Sequence, residues 1–162
     1  MHATNYRIRG ACAAACAASL LLLAGATGAS AAPSGTNLAP QTSGGEILAL
    51  ENAARAQQGC PALNENGQLT QAAQVHSTDM ANNNFFSHTG SDGSDIATRA
   101  ARAGFSPSIP TSENISSGAT SSQAVFDGWM GSAPHRAAIL NCSWTQTGIA
   151  GSGTLWTQVL GT

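Results

Sequence analysis

Charge is scarce in this chain of 162 residues, with charged side chains at 9 % and no lysine at all. After residue 31 the only cations beside histidine are Arg55, Arg99, Arg102 and Arg136, against all eight Asp and Glu residues. Nucleic acids and anionic membrane surfaces are bound through clustered Arg and Lys, so neither class of partner fits. The chain also lacks an HExxH zinc motif, a CxxC pair and any internal repeat. Histidine is sparse too, at four residues. Whatever chemistry the chain carries must therefore come from a few polar side chains gathered from separate segments.

The N-terminal region reads as an export signal. Arg7 and Arg9 precede a small, apolar run from Ala11 to Ala26 centred on Leu20 to Leu23, and Ala29-Ser30-Ala31 offers a small-x-small cleavage site. The run is short and alanine-rich for a membrane span. The expectation is a signal peptide over 1–31, cleaved near Ala31, leaving a secreted or envelope protein with no stable span. The alternative is a retained N-terminal anchor. No cysteine follows at a lipid-attachment spacing. Cleavage removes Cys12 and Cys16 and leaves Cys60 and Cys142, an even number in an oxidising compartment. A disulfide between them is expected, and the alternative is two buried thiols. Residues 32–43 read as a flexible linker, and 44–162 as one folded domain.

Within that domain, apolar spacing predicts helices over 46–57 and 69–80. Ser94 is the expected N-cap of a third helix over 95–103, and Ser121 or Ser122 that of a fourth. Val125, Phe126, Trp129 and Met130 form the fourth helix's expected buried face, and Pro134 opens a further helical turn to Leu140. Phe85 and Phe86 are expected to return the chain to the core, and all three tryptophans to lie in it. Residues 113–117 read as a short strand or a loop. Residues 144–150 and 154–160 read as strands of a hairpin turning at Gly151-Ser152-Gly153. Helices first and a terminal hairpin last indicate an α+β layer fold.

His88, Glu113 and His135 are the candidate site residues. Converged by folding, they make either a hydrogen-bonded polar cluster or a His/His/carboxylate site for Zn²⁺ or another divalent metal with an open position. In the second case Glu113 is the candidate base of a metal-assisted hydrolase. His76 lies on the apolar stripe of the second helix and reads as a core-edge histidine. Ser132, three residues before His135, is not on a nucleophile elbow and reads as a cap for the following turn. Asp92 and Asp95 are too few for a calcium loop. Arg136 is expected to pair with a carboxylate. Asn114-Ile115-Ser116 matches a glycosylation sequon.

Four ordered blocks carry a family resemblance: Ala73 to His88, Ser112-Glu113-Asn114-Ile115, Trp129 to Asn141, and Thr147-Gly148-Ile149-Ala150. They resemble the CAP superfamily of cysteine-rich secretory, antigen 5 and pathogenesis-related 1 proteins, in its exported, single-domain bacterial branch. The resemblance implies a three-layer α-β-α sandwich with a small, mainly antiparallel sheet. It implies a cleft with two histidines and one or two glutamates, matched here by His88, His135 and Glu113. The second glutamate has no counterpart in Trp129-Met130-Gly131-Ser132, which weakens any mechanism built on paired carboxylates. No cofactor is required by the resemblance, and weak divalent-metal binding is implied. The leading expectation is a secreted binding module for a small apolar, lipid- or sterol-like ligand or an envelope protein. The alternatives are a metal-dependent hydrolase and a structural or stress-related exported module.

Overall fold

The computed structural model describes residues 43–106 and 108–162. The expected signal peptide and nearly all of the expected linker lie outside these residues. The elements are α1 (Gly44–Gln57), β1 (Asn64–Glu65), α2 (Gly67–Asn83), α3 (Ile96–Arg102), β2 (Thr111–Ser117), α4 (Ser122–Gly131), α5 (Ala133–Ile139), β3 (Gln146–Ser152) and β4 (Leu155–Gly161). Among the described residues, no helix is long and apolar enough to cross a membrane.

Polar caps start most of the helices. Ser43, Asn66 and Ser121 accept backbone N–H groups at the heads of α1, α2 and α4. Asn84 ends α2 in a left-handed conformation, at φ 52°. Two expected caps differ. Asp95, not Ser94, caps α3, accepting from the Thr98 N–H at 2.8 Å. Ser94 is instead buried, and its carbonyl accepts from Arg99. Ser132 precedes α5 but makes no side-chain cap bond, leaving the proline near the helix start as the local helix-starting device.

The sheet order is β1-β3-β4-β2, so β2 is an edge strand. Pairings β2–β4 and β3–β4 are antiparallel, and the short β1–β3 pair is parallel. Strand β1 lies in the short link between α1 and α2, and two residues give no alternation to read. The hairpin turns at Gly153-Thr154, one position later than expected, with Gly153 at φ 61°. That left-handed position is the one glycine favours in a two-residue hairpin loop.

Adjacent strand residues point to opposite faces, and the two core clusters follow that alternation. Ala150 and Val159 pack with Leu69, Ala72, Ala73, Ala100 and Phe105 from α2, α3 and the segment after α3. Ile149 and Trp156 pack with Ile47, Val125, Trp129 and Ile139 from α1, α4 and α5. The result is the expected α-β-α sandwich. At Gly148 the α2 backbone comes so close that a Cβ would collide with Leu69 and Thr70. Trp129 and Trp156 are buried as expected, whereas Trp144, Phe126 and Phe85 are half-buried. Phe86 does not return to the core and is 53 % exposed.

Two polar devices tie the α1 side together. Cys60 and Cys142 form the expected disulfide, which closes a long chain loop and so restricts the unfolded ensemble. Beside it, the buried Arg55 guanidinium donates to the carbonyls of Pro61, Ile139, Asn141 and Trp144 at 2.6–3.0 Å. Three of these carbonyls lie where α5 ends and the chain turns, the fourth lies in the segment after α1, and one rigid fork satisfies all four. One turn earlier, Glu51 is fully buried and accepts from Gln158 at 2.6 Å, while Gln158 accepts from Asn114 at 2.8 Å. Asn114 is 1 % exposed, so the sequon around it is inaccessible in the folded protein.

Burial pushes the Glu51 carboxyl up to about 8, against the opposing pull of its Gln158 hydrogen bond and of Arg55. A folded-state value above the unfolded one means that the native state holds the proton more tightly between about pH 4.5 and 8. Stability from this group is thus full at low pH and is lost as pH rises through that window. Glu51→Gln keeps a neutral side chain of the same shape. In thermal melts it is expected to gain about 1–3 kcal/mol over wild type at pH 8.5 and to lose that advantage near pH 5.

Candidate functional site

The site is built around Glu113 on the edge strand β2. Glu113 lies opposite Val159 in the β2–β4 register, so its side chain projects toward α2 and α3. There its Oε2 accepts from Arg99 Nη2 of α3 at 2.6 Å. Its Oε1 accepts from His88 Nδ1 at 2.8 Å. The Glu113 and Arg99 side chains are each only 3 % exposed, whereas that of His88 is 59 % exposed. A carboxylate partner fixes the proton on Nδ1, so neutral His88 presents its Nε2 as an acceptor.

Arg99 extends the cluster. Its Nη1 donates to the Ser94 carbonyl at 2.7 Å and its Nη2 also reaches the His88 carbonyl at 3.0 Å. One guanidinium therefore links α3, the turn before it, the segment after α2 and strand β2. His76 stands behind the pair, fully buried, with Nε2 3.9 Å from Glu113 Oε1. That Nε2 lies 2.8 Å from the Ser87 carbonyl, so it carries the proton and donates. Burial holds the His76 imidazole below its ordinary pKa, which keeps the ring neutral near pH 7. Phe85 meets it edge-on at 6.3 Å between ring centroids. The core reading of His76 matches this burial, with the addition that the ring stands beside the site's carboxylate.

His135 approaches from the other layer. Helix α5 packs on the α1 and α4 side, and the His135 carbonyl lies 3.5 Å from Asn114 Nδ2. Burial, then repulsion from His88, lowers the His135 pKa. The two imidazoles thus flank the β2 edge from opposite faces of the sheet, near enough to sense one another's charge. Folding joins His88 to Glu113 by a hydrogen bond but gives His135 no such bond to either. Among the described residues, no group of three His, Cys, Asp or Glu side chains is placed to hold a metal ion. Both Glu113 oxygens are engaged, one by a cation, so the expected three-ligand set does not fit a metal in this arrangement.

Arg99 had no role in the sequence reading. Its one available sign was position: a cation in the alanine-rich stretch Ala97 to Ala103, in a domain with four arginines. Arg136 differs from expectation as well. It donates to the Met130 carbonyl at 2.8 Å and takes part in no ion pair found among the described residues. The carboxylates of Asp92 and Asp95 are used locally, by Ser94 and Arg102 and by the α3 cap.

Residues 48–154 match the family model of the cysteine-rich secretory protein family, CAP. The chain belongs to the CAP family. The match covers well over half of the sequence and spans β1 to β3 with every member of the His/Glu cluster. Among curated proteins, it is 34 % identical over 117 residues to the uncharacterized protein YkwD of Bacillus subtilis, covering 70 % of this chain and 44 % of that protein. It is 32 % identical to the uncharacterized membrane protein YlbC of the same organism, covering 72 % and 34 % of the two chains. The chain therefore matches less than half the length of either relative. Among solved structures, it resembles an extracellular protein containing an SCP domain from Bacillus anthracis, with TM-score 0.69 and 29 % identity over 72 % of this chain and 39 % of that one. An outer surface protein of Borrelia burgdorferi shares the fold at TM-score 0.64 and 19 % identity, over 72 % and 89 % of the chains.

The geometry separates the members of this CAP cluster energetically. Removing Glu113 leaves the buried Arg99 charge without its partner, a loss of about 3–5 kcal/mol. Removing the exposed His88 leaves the Arg99–Glu113 pair intact. Chemical denaturation of Glu113→Ala is expected to show a loss several times that of His88→Ala, which stays under about 1 kcal/mol.

Proposed function

We propose that this CAP-domain chain is an exported binding module, taking a small apolar ligand or an envelope protein at the cleft edged by Phe86, His88 and His135. The observation that carries this reading is the full engagement of Glu113. A general base needs a lone pair within reach of water. Here one carboxylate oxygen faces a guanidinium and the other an imidazole, in a side chain that is almost wholly buried. A hydrolase with Glu113 as base would first have to break a buried ion pair. The exposed ring of Phe86, two residues from exposed His88, supports an amphipathic contact surface instead.

Export is supported by the N-terminal segment, by the Cys60–Cys142 disulfide and by likeness to an extracellular relative. A metal has a secondary place in this reading. His88 Nε2 and the His135 ring are the donors that remain, with Glu113 orienting His88 from behind as carboxylates do for metal-bound imidazoles. Two imidazoles make a labile site, so Zn²⁺ would modulate ligand capture without being required for it.

Two measurements on the exported, purified protein test this. Calorimetry should show weak Zn²⁺ uptake that disappears in both His88→Ala and His135→Ala. Mass spectrometry of an organic extract should show an apolar compound enriched over a mock purification, in wild type and in both variants. Zn²⁺-dependent ester or amide hydrolysis that is abolished by Glu113→Gln, with the fold retained, would overturn the binding reading.

A further inference from the structure

The Cys60–Cys142 disulfide joins two residues in unlike settings. Cys60, in the segment after α1, is only 7 % exposed, whereas Cys142 is exposed, in the turn that follows α5. A thiol in solution therefore meets the two ends of this bond unequally.

The segments that carry the two cysteines are also held together without the bond. Arg55 donates to the Pro61 carbonyl, next to Cys60, and to the Ile139, Asn141 and Trp144 carbonyls on both sides of Cys142. The Cys60 N–H donates to the Arg55 carbonyl at 3.0 Å. Asn52 clamps Leu63 in both directions, accepting its N–H at 2.7 Å and donating to its carbonyl at 3.0 Å. The turn at Cys142 is fixed by Asn141, whose Oδ1 accepts the Ser143 N–H and whose carbonyl accepts the Trp144 N–H. A disulfide acts mainly by restricting the unfolded chain, so opening it leaves these native contacts in place. Cys60 Sγ lies 3.4 Å from the Leu140 carbonyl, which gives a thiol at Cys60 an acceptor already in position.

We propose that Cys60–Cys142 is a thiol–disulfide exchange site of the folded protein, with Cys142 the attacked sulfur and small thiols or dithiols the partners. Exchange passes through a mixed disulfide, and access decides which sulfur is taken. The incoming thiolate bonds to Cys142 Sγ, the S–S bond breaks, and its electron pair leaves on Cys60 Sγ. Cys60 then takes a proton from solvent, and its S–H donates to the Leu140 carbonyl. The second thiolate of a dithiol displaces Cys142 as a thiolate, and the dithiol departs oxidised to its own disulfide. With a monothiol, the mixed disulfide stays on Cys142 until Cys60 displaces it, a return that the Arg55 fork favours by keeping both segments together. The exchange stands apart from the proposed cleft and does not depend on the binding reading.

The experiment follows reduction of the full exported protein by dithiothreitol under native conditions, by alkylating the freed thiols. The rate should rise in proportion to dithiothreitol and change by less than about twofold on adding 1 M urea, whereas a bond opened only by global unfolding is reduced roughly fivefold or more faster. Mapping after 2-mercaptoethanol treatment and acid quenching should find the adduct on Cys142 and a free thiol at Cys60. The dithiothreitol-reduced protein should still melt cooperatively, at a lower temperature than the oxidised form. No reduction without denaturant, acceleration by urea beyond about twofold, an adduct mainly on Cys60, or loss of the cooperative melt on reduction would each overturn the assignment.

Discussion

A guanidinium and a carboxylate, 2.6 Å apart and both withdrawn from water, hold together the segments that carry His88 and Glu113. Arg99 comes from a seven-residue helix and Glu113 from an edge strand, two elements that are individually weak. Their contact recruits the His88 segment through its carbonyl and its ring, and presses against the neutral His76. Such a pair is not a cheap source of stability, because two charges lose their water. It is a source of definition. With each charge buried, any arrangement that separates the two leaves a charge unmet, which disfavours other packings of β2, α3 and the segment after α2.

The same constraint shapes what the cleft can do. A carboxylate clamped between Arg99 and His88 has both oxygens engaged and fixes the orientation of the imidazole. The His88 ring is exposed, with its Nδ1 held by Glu113, and the His135 ring comes from the opposite layer. In the reading proposed above, the two imidazoles and the exposed ring of Phe86 supply the contact surface. The opposite layer is locked independently by the Arg55 carbonyl fork, the disulfide beside it and the buried Glu51–Gln158–Asn114 chain. Asn114 and Glu113 are neighbours on β2 that point to opposite faces, so one strand anchors a polar network in each layer.

Much of this could be read in the sequence where the signal was local. The periodicity of α1 and α2, the polar start of α4 and the terminal hairpin follow from residue spacing, and the α+β class follows from their order, whereas the three-layer arrangement came from the family resemblance. The pairing of Cys60 with Cys142 followed from counting. The family blocks brought His88, Glu113 and His135 to one region. The remainder depended on tertiary contacts that leave no local mark. Arg99 and Arg55 look like ordinary helical cations until their carbonyl and carboxylate partners are placed beside them. Phe86 looks like core because it is aromatic, yet a left-handed Asn84 turns the chain so that only Phe85 reaches inward. Ser94 and Ser132 looked like caps because serine favours that position, yet Asp95 caps α3, and Ser132 holds the N-cap position of α5 without a side-chain bond.

The claim on which the account rests is that Arg99 and Glu113 act as one buried unit. A double-mutant cycle with Arg99→Met, Glu113→Gln and the double variant, followed by chemical denaturation, measures their coupling directly. The account predicts that each single change is strongly destabilising and that the double variant recovers much of the loss, with a coupling of about 2 kcal/mol or more. Additive losses, with coupling within about 0.5 kcal/mol of zero, would contradict it.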